Sequence, residues 1–224
     1  KWNTKSSAKY TFEIKRELER SIPMTMIEKK VEIGGKTITF ETGRIAKQAS
    51  GSVLVKCGGT AVLVTAVAAK DAREGVSFLP LTVDYQEKTS AAGRIPGGYF
   101  KREGRPREDE TLNSRIIDRS IRPLFADGWG FESQVIATVF SADPEHPADV
   151  LAMTGASAAL ELSDIPFKGP LAGVRVVRVK GELLLNPSFE QIAEADINIF
   201  MACSKNAIVM VEGGGTEAKE SEVI

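Results

Sequence analysis

The feature that most restricts the fold is a pair of β-prone runs turned back on themselves by doubled glycines. Residues 27–33 and 36–41, rich in Val, Ile and Thr, flank Gly34-Gly35, and residues 52–57 and 60–69 repeat the arrangement around Gly58-Gly59. Two glycines between such runs supply the left-handed backbone positions that a tight hairpin needs. A chain that opens this way is committed to antiparallel sheet before any helix can form. A third strand is expected over 76–86, ending in a charged turn.

Helical periodicity appears only at 109–124, where Leu112, Ile116, Ile117 and Ile121 recur at helical spacing, acidic residues occupy the first turn and Pro123 marks the end. A second helix is expected over 147–162. Pro147 suits its first turn, and Ala152, Gly155, Ala156, Ala158 and Ala159 leave it slim enough to lie close against a sheet. Strands are expected at 134–141, 172–179, 182–185, 197–203 and 207–211. Strands first, then helices interleaved with more strands, define an α+β chain. Gly213-Gly214-Gly215 and the charged tail to residue 224 read as the start of a linker.

The 224 residues are 42% hydrophobic, enough for a real core and simplest as one domain over residues 26–212. Residues 1–25 are polar and basic and read as a flexible extension, natural or introduced by cloning. The net charge of -1 excludes a uniformly basic coat, so any affinity for nucleic acid must come from local clustering. Cys57 and Cys203 lie in separate strand-like runs without metal-site spacing, which fits a reducing, cytoplasmic setting. No apolar stretch reaches the roughly 18 to 20 residues of a membrane helix. His146, the only histidine, has no second His or Cys nearby and reads as an exposed loop residue rather than a metal ligand. Gly58-Gly59-Thr60 lacks a following Walker-type lysine and reads as a turn.

The local cluster exists. Residues 94–122 hold eight basic side chains (Arg94, Lys101, Arg102, Arg105, Arg107, Arg115, Arg119, Arg122) against five acidic ones. Pro96-Gly97-Gly98 precedes Tyr99-Phe100-Lys101-Arg102, so a loop loosened by glycine presents two aromatics followed by two cations. Rings stack on bases of any sequence, worth roughly 1–3 kcal/mol per base, while nearby cations meet phosphates. Arg115, Arg119 and Arg122 share one helical face, with Asp118 in reach of Arg122. Composition alone leaves a second reading equally open: Tyr99 and Phe100 anchor a surface loop in the core, and the arginines form a solvated face.

Longer motifs separate the two. Glu41-Thr42-Gly43-Arg44-Ile45-Ala46-Lys47-Gln48-Ala49, Pro80-Leu81-Thr82-Val83-Asp84-Tyr85-Gln86 and Ala92-Gly93-Arg94-Ile95-Pro96-Gly97 resemble the first core of polynucleotide phosphorylases. Tyr99-Phe100-Lys101-Arg102-Glu103-Gly104-Arg105-Pro106 is similar to that family's RNA-gripping loop, whose usual form is two phenylalanines and two arginines. Ser114-Arg115-Ile116-Ile117-Asp118-Arg119 extends the match, which covers about residues 27–212 and includes Gly155-Ala156-Ser157-Ala158-Ala159-Leu160 and Ile165-Pro166-Phe167-Lys168-Gly169-Pro170. The resemblance implies a ribonuclease PH-like core of mixed sheet and packed helices, in the ribosomal protein S5 domain 2-like class. It further implies two cores per subunit, a homotrimeric ring around a channel, single-stranded RNA as partner, and contacts to other RNA-degradation proteins. Tyr99, Phe100, Lys101, Arg102, Arg105, Arg115 and Arg119 are then the RNA-contacting residues.

The family reaction is 3′-to-5′ phosphorolysis, in which inorganic phosphate releases nucleoside diphosphates with magnesium or manganese assisting. Such chemistry calls for a phosphate cradle and carboxylates that hold the metal. In the family these lie in the second core. The equivalent positions here are Ile192 and Asn198 for the two carboxylates and Phe200 for a lysine, with residues 145–149 in place of a serine-rich loop. The resemblance therefore implies no complete catalytic or metal site in this chain. The alternatives are a non-catalytic RNA-binding or assembly module and a self-sufficient ribonuclease PH-type enzyme using acids such as Asp143, Glu145, Asp149 or Asp196.

Overall fold

The computed structural model describes residues 25–72, 75 and 78–223. The expected extension over residues 1–25 lies almost wholly outside them. The two glycine hairpins form as β1 (Ile27–Ile33) with β2 (Lys36–Thr42), and β3 (Gly51–Cys57) with β4 (Thr60–Ala72). Together with β5 (Leu81–Glu87) and β6 (Phe131–Ser141) they build a six-stranded sheet in the order β1-β2-β3-β4-β6-β5. All pairings are antiparallel except β5 with β6, which run parallel because α1 (Glu108–Ile121) intervenes between them. A second, antiparallel sheet has the order β10-β9-β7-β8, from β7 (Ala172–Val179), β8 (Glu182–Leu185), β9 (Ile197–Cys203) and β10 (Ile208–Gly215).

Alternation puts Val53, Val55, Val62, Val64, Val135, Ala137 and Val139 on one buried face of the first sheet. Helix α2 (Ala148–Glu161) lies between that face and β7, so it is apolar nearly all round and buries Leu151, Ala152, Met153, Ala156, Ala159 and Leu160. Its small residues are a steric requirement. A Cβ on Gly155 would stand 2.7 Å from Val64 Cγ2, and on the other side one on Gly173 of β7 would stand 2.8 Å from Met153 Cβ.

Several expectations shift. β5 begins at Leu81, and residues 76 and 77 of the expected strand lie outside the described residues. The last turn of the expected first helix tightens into a 3₁₀ turn, Arg122–Leu124, at Pro123. The glycines expected to open a linker are the end of β10: Gly213, Gly214 and Gly215 pair with Ile199, Asn198 and Ile197. Residues unable to pack a side chain still complete a ladder through their backbone. A short helix α3 (Phe189–Glu194) was not anticipated. Ser188 caps it by accepting the Gln191 N–H at 3.3 Å while Gln191 accepts the Ser188 N–H at 2.9 Å. A second short helix, α4 (Glu220–Val223), follows β10.

Candidate nucleic-acid interface

The basic cluster spans the connection from β5 to α1. β5 runs into a 3₁₀ turn, Thr89–Ala92, closed by Gly93 at φ 67°, and the chain then loops outward until α1 begins. At its far end Arg107 donates its backbone N–H to Glu110 at 2.7 Å, Glu110 also accepts the Glu87 N–H at 2.7 Å, and the Arg107 guanidinium pairs with Glu87. Tyr85 extends the network, its hydroxyl donating to Glu87 at 2.6 Å; burial, reinforced by Glu87, pushes that phenol far above its ordinary range. The root of the loop is therefore rigid and partly buried.

Its tip is open. Tyr99 is 93% exposed and Phe100 79%, with their rings edge-to-face at 5.4 Å. This corrects the reading in which they anchor the loop in the core: they touch each other and little else. Among the described residues, Arg94, Lys101, Arg102, Arg105 and Arg115 have no carboxylate within ion-pair distance. Arg94, Arg102 and Arg105 also line a cleft of about 840 Å³ that runs beside the loop toward His146 and Phe189.

The arginine face of α1 is divided. Arg115 is exposed and has no ion-pair partner among the described residues, whereas Arg119 pairs with Glu212 on β10 and donates to Met210 Sδ at 3.5 Å. Arg122 is committed to structure, holding Asp118 at 2.6 Å and the carbonyls of Leu79 and Leu81 at 3.1 and 3.2 Å. His146 is corrected as well. It is partly buried, with Nδ1 at 2.9 Å from Asp143, whose carboxylate also accepts the N–H of Gly59 at 2.5 Å and of Glu145 at 2.8 Å. Burial pushes the Asp143 carboxyl up, but these bonds outweigh it and hold the group below its ordinary value. The pair locks the Gly58-Gly59 hairpin against the loop before α2.

Ile192, Asn198 and Phe200 converge on a second cleft beside Glu212 and the glycines of β10. Arg175 also lines it, lying over the Phe200 ring at 5.4 Å, donating to Asn198 at 2.8 Å and pairing with Asp149. This set does not fit a divalent cation: two positions are apolar, the Asn198 oxygen already accepts from Arg175, and Arg175 is itself cationic. Asp196 is held by Arg178 at 2.6 Å, which lowers its pKa. Among the described residues no three His, Cys, Asp or Glu side chains gather as metal ligands, and no helix is long and apolar enough to cross a membrane.

Fold and site together define a ribonuclease PH-like α+β protein. The chain belongs to the 3′ exoribonuclease family, whose domain 1 model matches residues 34–166 and whose domain 2 model matches residues 169–224. It is 62% identical over 201 residues to a polyribonucleotide nucleotidyltransferase of Anaeromyxobacter sp. (strain K), and 59% identical over 201 residues to one of Geobacter sulfurreducens. Each match covers 90% of this chain but only 28% and 29% of the relative, so the chain spans under a third of the relatives' length. Rice (Oryza sativa) Rrp46 shares the fold with a TM-score of 0.64 at 14% identity, covering 92% of this chain and 89% of that one. A chain of the Archaeoglobus fulgidus exosome with RNA bound to the active site gives 0.61 at 17%, covering 96% and 92%.

Proposed function

We propose that this chain is the RNA-binding, ring-forming first core of a polyribonucleotide nucleotidyltransferase, its carboxy-terminal side running through the end of β10 at Gly215 rather than stopping at residue 212: a 3′-to-5′ phosphorolytic exoribonuclease that uses inorganic phosphate to release nucleoside diphosphates. The observation that carries the reading is the open tip of the loop, two exposed rings followed by cations that no carboxylate of the described residues satisfies. Tyr99 and Phe100 stack on bases, Lys101, Arg102 and Arg105 meet phosphates, and Arg115 continues the track along α1. Arg119 joins it only by leaving Glu212. Affinity built this way is tolerant of sequence and sensitive to salt.

Magnesium or manganese belongs to the whole enzyme and is held outside the residues described here. The partners are single-stranded RNA, two further copies in a homotrimer and other RNA-degradation proteins, in the cytoplasm. The cleft around Arg175 supports a guiding rather than a catalytic role, because Ile192 and Phe200 are apolar and Arg175 is taken up by Asp149 and Asn198. The test supplies this chain with poly(A), phosphate and magnesium while recording nucleoside diphosphate release and RNA binding. Binding without release is expected. Robust release would overturn the assignment of Ile192, Asn198 and Phe200 as positions without catalytic function, and absence of both would overturn the RNA role.

A further inference from the structure

The tip of the loop is unrestrained: among the described residues, 95–102 make no side-chain hydrogen bond or ion pair. What defines its position is Thr89, on which both ends converge. The Thr89 carbonyl accepts the Arg94 N–H at 3.2 Å. On the other side Glu103 uses both carboxylate oxygens, one accepting the Thr89 N–H and the other the Thr89 hydroxyl, each at 2.8 Å. One residue thus fastens Arg94 and Glu103, and the chain between them, carrying the two rings and two cations, is drawn into a closed loop.

Glu103 is an odd residue to find there. It directly follows Lys101-Arg102, where an acid opposes the approach of phosphate, and the bonds from Thr89 hold its carboxyl below the ordinary value, so it stays ionised at neutral pH. Its electrostatic effect on an RNA site is adverse, and its benefit must come from geometry. Closing a short loop before binding removes ordering that the RNA contacts would otherwise have to supply.

Building on the RNA reading above, we propose that Glu103 is a positioning residue for the RNA-contacting loop: its clasp on Thr89 sets the stance of Phe100, Lys101 and Arg102, and it raises RNA affinity despite its negative charge. Charge and clasp make opposite predictions, which makes the idea decidable.

The experiment titrates a fluorescent oligoadenylate with the wild-type chain and with Glu103→Ala, Glu103→Gln and Lys101→Ala/Arg102→Ala/Arg105→Ala variants, with melting temperatures as the check on folding. Glu103→Ala is expected to weaken binding by about fivefold although it deletes a negative charge. Glu103→Gln, whose amide can accept the Thr89 N–H and donate to the Thr89 hydroxyl, is expected to restore affinity to within about twofold. Equal or tighter binding by Glu103→Ala, or equal weakening by both Glu103 variants, would overturn the clasp. If the triple variant weakens binding while Glu103→Ala does not, only the clasp fails. If the triple variant binds like wild type, the RNA reading fails with it.

Discussion

Two regions of this chain are built from the same materials and left in opposite states. The loop at Tyr99–Phe100–Lys101–Arg102 sets aromatics beside cations in the open, and the cleft at Arg175 sets a cation over Phe200. In the cleft, Asp149 and Asn198 bond the two terminal nitrogens of the guanidinium, which is 16% exposed, while its Nε is buried with no partner among the described residues; in the loop no carboxylate of the described residues meets Lys101, Arg102 or Arg105. Residue type does not separate a binding surface from a structural one. What separates them is whether the chain itself has already taken up the charge.

The largest effect that can break this contrast is on stability. Arg175→Ala leaves Asp149 nearly buried without its partner, and removing one side of such a pair costs about 3 kcal/mol, read by chemical denaturation. A loss under about 1 kcal/mol would place Arg175 with the open cations instead. Tyr99→Ala and Phe100→Ala should do the reverse, leaving denaturation unchanged and weakening oligoadenylate by about 1–3 kcal/mol for each base that loses its stacking partner, with no change in salt dependence.

A third test concerns Glu41, a buried carboxylate bonded to Lys56 at 2.7 Å and Arg44 at 3.2 Å. The bond to Lys56 holds its pKa below the ordinary carboxylate value against the opposing effect of burial. With the folded value depressed, its contribution is fully present above that unfolded value and is lost as pH falls through the folded one. Glu41→Gln should flatten the acid limb of stability against pH and cost about 2 kcal/mol near neutrality. The smallest effect belongs to the exposed pair Arg119–Glu212, where Glu212→Ala should change stability by under about 1 kcal/mol. By freeing Arg119 it should also tighten RNA slightly; unchanged affinity would remove Arg119 from the RNA track.

Much of the fold could be read from the chain because its signals are local. Doubled glycines with alternating apolar residues mark both hairpins, and the strands at 172–179, 182–185 and 197–203 coincide with β7, β8 and β9. Backbone pairing hid the end of β10, since three glycines look like a linker until a neighbouring strand is there to bond them. Helix α3 did carry a local signal, the Ser188-to-Gln191 capping box, but six residues give too little periodicity to notice it by. At the site, the loop residues were legible as a run of sequence. The state of each arginine was not, because Arg119 is neutralised by a residue 93 positions away, whereas the partner of His146, Asp143, lies only three residues before it. Sequence displays the charges on one element; only folding reveals which are already met.

The central claim is that the loop's unpaired cations meet phosphates, and it is tested most directly by oligoadenylate affinity as a function of salt for wild type and Lys101→Ala/Arg102→Ala/Arg105→Ala. For single strands each phosphate contact contributes about 0.7 to the slope of log affinity against log salt, so the triple variant should bind more weakly with a slope smaller by about 2. An unchanged slope and unchanged affinity would contradict the account.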